Sequence, residues 1–89
     1  MISQVIGLEF HHPRSYASYG VIEPLRGRAA EHPAAKRGFH PFADDAYGNA
    51  YVYADDGSVY FWDHEEYQLD RLTDTWEDFV GWCAPEGAA

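Results

Sequence analysis

Two aromatic strands around an Asp-Gly turn constrain this chain more than any other feature. The first runs Ala50-Tyr51-Val52-Tyr53-Ala54, led in by Gly48-Asn49, and the second runs Val59-Tyr60-Phe61-Trp62. Asp55-Asp56-Gly57-Ser58 lies between them. Aromatic and β-branched side chains suit a pleated, half-buried surface, and a glycine after aspartate supplies the positive φ of a tight hairpin. Alternation places Tyr51 and Tyr53 on one face, with Ala50, Val52 and Ala54 on the other. In the second strand Val59 and Phe61 share one face, and Tyr60 and Trp62 share the opposite one. Both faces of that strand are apolar, so a layer is expected on each side of the hairpin.

Eighty-nine residues make one small domain. A chain of this size buries only a little over ~60% of its unfolded surface. Five Phe, seven Tyr and three Trp partly offset that, since each ring carries a large apolar area. The single cysteine, Cys83, has no partner for an internal disulfide, which fits a reducing compartment. No apolar run is long enough to span a membrane and no charged-then-apolar leader opens the chain, so a cytoplasmic protein without a membrane partner is expected.

Charge narrows the partners. Fifteen acids against six bases give a formal net charge of −9, and from Asp44 to Glu86 the only base is Arg71. Such a surface repels phosphate backbones and disfavours nucleic acid; it favours fast association with a basic protein. Four bases, Arg26, Arg28, Lys36 and Arg37, sit in an Ala-rich stretch broken by Pro33. That stretch reads as a connection with one helical turn, because proline cannot continue a helix through position 33.

The ends of the chain carry weaker signals. Val5, Ile6, Leu8 and Phe10 suggest a short strand interrupted at Gly7, and Gly20-Val21-Ile22 suggests another, closed by Pro24. Near the carboxy terminus, Asp74 with Glu77 three residues later predicts an N-cap and capping box. Trp76, Phe79, Val80 and Cys83 then share a stripe at helical spacing, with Pro85 and Gly87 as the stop.

No catalytic arrangement emerges, and no cofactor is expected. Asp63-His64-Glu65-Glu66 offers ligand types but not the His-Glu-x-x-His spacing of a helical metal site, and a structural hydrogen-bonding role suits Asp63 and His64 better. Asp44-Asp45 and Asp55-Asp56 lack the alternating ligands and terminal Glu of a calcium loop. Cys83 falls on the inward stripe, where a thiolate is unfavourable.

Three pieces in order resemble the SUKH superfamily of cell-wall assembly regulators and bacterial immunity proteins. They are Pro41-Phe42-Ala43-Asp44-Asp45 with Gly48-Asn49; Gly57-Ser58-Val59-Tyr60-Phe61-Trp62-Asp63-His64-Glu65; and Leu72-Thr73-Asp74-Thr75-Trp76-Glu77-Asp78-Phe79-Val80. The resemblance covers about residues 39 to 82. It implies an α+β fold, a small curved, mainly antiparallel sheet with a carboxy-terminal helix packed against it. It also implies one domain over residues 1–89 in a shortened version, with a divergent part at 1–38 and the motifs at 39–83. The family's usual amino-terminal helical region has no counterpart here. Either a symmetric homodimer then covers the open sheet face through Tyr51, Tyr53, Tyr60 or Trp62, or residues 1 to 38 fold back over it. Gly48, Asn49, Gly57, Trp62, Asp63 and His64 resemble fold-specifying positions.

In function the resemblance implies a non-enzymatic binding module, foremost a bacterial immunity protein that neutralises a basic, nuclease-type toxin. The alternative is a regulatory or scaffold domain that binds a housekeeping protein or peptide. The residues expected to meet the partner are Asp44, Asp45, Asp55, Asp56, Glu65 and Glu66, with Tyr47 and Tyr67 as aromatic anchors.

Overall fold

A computed structural model of the chain describes residues 5–11, 18–45 and 47–85. In order, it contains β1 (Leu8–His11), β2 (Ser18–Val21), β3 (Glu23–Pro24), two 3-10 turns (Ala29–Glu31 and Ala35–Arg37), β4 (His40–Asp44) and β5 (Ala50–Tyr53). Then come β6 (Val59–Asp63), β7 (Gln68–Thr73), α1 (Trp76–Trp82) and β8 (Cys83–Pro85). The strands divide between two antiparallel sheets, one ordered β2-β1-β8 and the other β3-β4-β5-β6-β7. The α+β class is the one the sequence implies.

The hairpin forms as its residues dictate. Ala50 pairs with Trp62, Tyr51 with Phe61, Val52 with Tyr60 and Tyr53 with Val59. At its turn the Gly57 N–H donates to the Ala54 carbonyl at 3.0 Å, and the Ala54 N–H donates to the Ser58 carbonyl at 2.9 Å. Gly57 sits at φ +90°, the left-handed conformation that closes a three-residue hairpin loop. One Asp56 carboxylate oxygen accepts from the Ser58 hydroxyl at 2.6 Å and from the Ser58 N–H at 2.9 Å. Those bonds, the hydroxyl's first, hold the Asp56 carboxyl below the ordinary carboxylate value.

Layers cover both faces. On one, Tyr51 and Val59 join Val5, Phe10, Ile22, Phe42, Leu72 and Phe79 in a buried cluster, with Phe61, Trp76, Val80 and Cys83 packed against it. Phe79 from α1 stacks on Phe10 at 4.8 Å, and Trp76 meets Phe42 edge-on at 5.0 Å. On the other face, Ala50, Val52 and Trp62 pack with Ala34, and Phe39, Tyr60 and Leu69 flank them. Of the two coverings the sequence leaves open, a second copy or residues 1 to 38, the chain's own segment with the two 3-10 turns packs Ala34 on this face, as 3-10 turns and not as strands. Tyr51 and Trp62 are 0% and 2% exposed, while Tyr53 remains 38% exposed.

Several elements differ from the sequence expectation. The helix is capped by Thr75, not Asp74: the Thr75 hydroxyl accepts from the Asp78 N–H at 3.1 Å, and Asp74 instead takes Arg71 Nε at 3.1 Å. Both residues are good caps, and Arg71 three positions upstream draws Asp74 away. The helix also stops at Trp82, before Pro85, because Cys83 turns extended and pairs with Phe10. β4 was not anticipated as a strand, since Pro41 cannot donate to a ladder. Proline is tolerated because β3 reaches only Ala43 and Asp44. A bulge between Pro41 and Ala43 then lets Phe42 and Ala43 both be buried. β7, with the mixed charges of Asp70 and Arg71, occupies the edge of the larger sheet.

Candidate protein-binding surface

The sheet brings sequence-distant loops to a common end. Asp44 pairs with Ala50, Ala50 with Trp62, and Asp63 with Gln68, so Asp45, Tyr47, Gly48 and Asn49 neighbour residues 64–67. Asn49 ties them together. Its side-chain oxygen accepts from the His64 N–H at 3.1 Å and from His64 Nδ1 at 2.6 Å. Its amide nitrogen donates to one Asp45 carboxylate oxygen at 2.9 Å. The other Asp45 oxygen accepts from the Tyr47 and Asn49 N–H groups at 2.8 and 3.0 Å. Because the Asn49 oxygen already serves the His64 N–H, His64 Nδ1 must carry the ring proton in the neutral form. Gly48 lies at φ +92°, and a Cβ there would stand 3.5 Å from the His64 ring. Asp63 shapes the second loop by accepting from the Glu65 and Glu66 N–H groups at 2.9 and 3.2 Å.

Four of the expected partner residues project from this end. Tyr47 is 74% and Tyr67 63% exposed, and Glu65 and Glu66 are exposed between them in the chain. Tyr67 holds a left-handed φ of 53°, uncommon for a bulky residue. Its ring lies 5.6 Å from Trp62, and its carbonyl accepts from Arg37 Nη1 at 3.3 Å, with the Arg37 guanidinium 5.9 Å over the same Trp62 ring.

The other four are placed differently. Asp45 is 2% exposed with its carboxylate spent on the loop, so the expectation that it meets a partner is corrected. A buried acid facing three donors is satisfied inside the fold. Asp44 is half-buried; one oxygen accepts from the Arg26 N–H at 3.1 Å, and the other is buried with no hydrogen-bond partner among the described residues. Asp55 and Asp56 occupy the β5–β6 turn, at the opposite end of the sheet, beyond the whole length of β5. Asp55 accepts from His40 Nε2 at 2.6 Å, and the His40 ring lies 4.8 Å from Tyr53.

Beside that second end is an open depression of about 410 Å³ lined by Ala29, Ala35, Phe39, His40, Pro41 and Tyr53 among others. Sequence reasoning missed it because its walls come from the 3-10 turns and two strands with no shared motif. Among the described residues no group of three or more His, Cys, Asp and Glu side chains is placed to hold a metal ion. Burial pushes the Cys83 thiol up to about 12, so it carries no thiolate near neutrality. Among the described residues no helix is long and apolar enough to cross a membrane.

A small α+β domain emerges, with Asp45, Asn49 and His64 bonded across two loops and aromatic and acidic residues exposed at one end. The chain belongs to the SMI1 / KNR4 family (SUKH-1), whose model matches residues 5–82. The match starts well upstream of residue 39 and takes in β1, β2, β3 and both 3-10 turns. No curated protein and no solved structure matches the chain.

Proposed function

We propose that this protein is a non-catalytic binding module, a bacterial immunity protein that neutralises a basic, nuclease-type toxin by direct contact. Family membership supports a protein-binding role, immunity or regulatory. The observation that carries the finer reading is the end surface of Tyr47, Glu65, Glu66 and Tyr67. It sets two exposed rings beside two exposed acids on loops pinned by Asp45, Asn49 and His64. Rigid aromatic anchors lose little entropy on binding, and acids around them steer a cationic partner. The chain's charge of −9 extends that field over the molecule.

The test begins with capture of the partner from the native host's lysate at low salt, followed by kinetics with the purified partner. Glu65→Lys with Glu66→Lys should slow association about tenfold or more and flatten its salt dependence. Tyr47→Ala and Tyr67→Ala should instead speed dissociation. A basic partner whose binding ignored all four substitutions would place the interface elsewhere.

The regulatory or scaffold alternative has its own observation, the apolar depression beside Tyr53. It predicts binding that persists in high salt and is weakened by Tyr53→Ala, with the Glu65 and Glu66 substitutions silent.

A further inference from the structure

The cover over the second sheet face turns on one histidine. His32 joins the two 3-10 turns: its N–H donates to the Ala29 carbonyl at 3.1 Å and its carbonyl accepts from the Ala35 N–H at 3.0 Å. Its ring does a third job, since Nδ1 accepts from the Ala34 N–H at 3.1 Å. The ring also meets Trp62 edge-on at 5.7 Å. Ala34, fixed by that bond, is fully buried against the sheet face of Ala50, Val52 and Trp62.

An imidazole nitrogen that accepts a hydrogen bond must be unprotonated, whereas an imidazolium donates from both nitrogens. A proton on Nδ1 therefore cannot coexist with the Ala34 bond, and it turns an attraction into a clash of two N–H groups. We propose that His32 is a proton-operated latch: the neutral ring holds residues 29–37 on the sheet, and protonation loosens them from Val52 and Trp62.

Two charged groups bear on this corner. Asp44 on β4 pulls toward the imidazolium, and it has a buried oxygen without a hydrogen-bond partner among the described residues. Arg37, in the cover itself, lies 5.9 Å over the Trp62 ring that the imidazole meets edge-on. Burial of the ring outweighs the pull of Asp44 and lowers the His32 pKa from its ordinary 6.5. A lowered folded value means the unfolded chain binds the proton more tightly. The latch's contribution is thus complete above 6.5 and is lost as pH falls from there through the folded value. Asp44 favours the charged ring, so it sets how far the pH must fall before the proton releases the Ala34 bond.

The experiment is amide hydrogen exchange by NMR on the full chain between about pH 7.5 and 5, corrected for intrinsic exchange, with the His32 ring followed in the same samples. At the upper pH the ring should be the tautomer protonated at Nε2. As it titrates, protection of the Ala34 to Gly38 amides should fall about threefold to tenfold while β5 and β6 amides hold, the scale of one lost hydrogen bond. His32→Asn keeps an acceptor two residues before the Ala34 N–H but does not titrate, so it should retain protection and abolish the pH response. Asp44→Asn should move the response to lower pH. An Nδ1-protonated ring at high pH, unchanged protection through its titration, or a response that survives His32→Asn would each overturn the latch.

Discussion

Asn49 shows how one residue can set a loop architecture. It reaches fifteen positions along the chain to His64 and four back to Asp45, and uses its side-chain acceptor and donor at once. Asp45 is buried, so the amide donor beside it offsets the desolvation of a charge. Asn49→Ala should therefore destabilise by about 2–3 kcal/mol, because a buried carboxylate loses a donor and two His64 donors lose their acceptor. His64→Ala removes a half-exposed ring and one of those bonds, and should cost about 1 kcal/mol. Urea midpoints would rank the two. Equal losses would mean that the loop contact matters and the Asp45 charge does not. Sequence reads His64 as a hydrogen-bonding residue because no metal spacing surrounds it, and Asn49 as a fold-specifying position by resemblance. It could not show that they bond each other, because that depends on the register of β5 on β6.

At the scale of elements, legibility followed how local the determinants are. The β5–β6 hairpin was readable because its strands, its turn and its two-faced pattern lie within fourteen contiguous residues. β4 was not, since the bulge and short β3 that accommodate Pro41 are tertiary facts. The Ala-rich connection has no periodicity, so nothing along it announces that Ala34 is a core residue. The helix was found but its cap was set one residue early, and this is measurable. Thr75→Ala should cost about 1 kcal/mol by removing the acceptor for the Asp78 N–H. Asp74→Ala should cost about 0.5 kcal/mol or less, since it breaks only an exposed pair with Arg71. Thermal or urea unfolding of the two variants decides it; the reverse order would restore Asp74 as the cap.

For the molecule as a whole, charge and architecture pull in different directions. Among the described residues the Arg–acid pairs, Arg26 with Glu23, Arg28 with Glu31 and Arg71 with Asp74, are all local and largely exposed, so they contribute little to folding. Most of the acids face solvent on a domain whose Cα radius of gyration is only 11.9 Å. Fifteen acids against six bases in so small a volume repel one another more in the compact state than in the unfolded chain. Added salt screens that repulsion over about 10 Å at 0.1 M and about 3 Å at 1 M. Stability measured by urea unfolding should therefore rise by about 0.5–1 kcal/mol between dilute buffer and about 0.5 M sodium chloride, the reverse of what salt does to steered partner binding. Glu65→Lys with Glu66→Lys should reduce this salt gain as it slows association, since the same charges act in both. A salt gain unchanged by that double substitution would locate the strain elsewhere, in the acids of α1 and the β5–β6 turn. The surface proposed to attract a cationic partner would then be separable from the one that strains the fold.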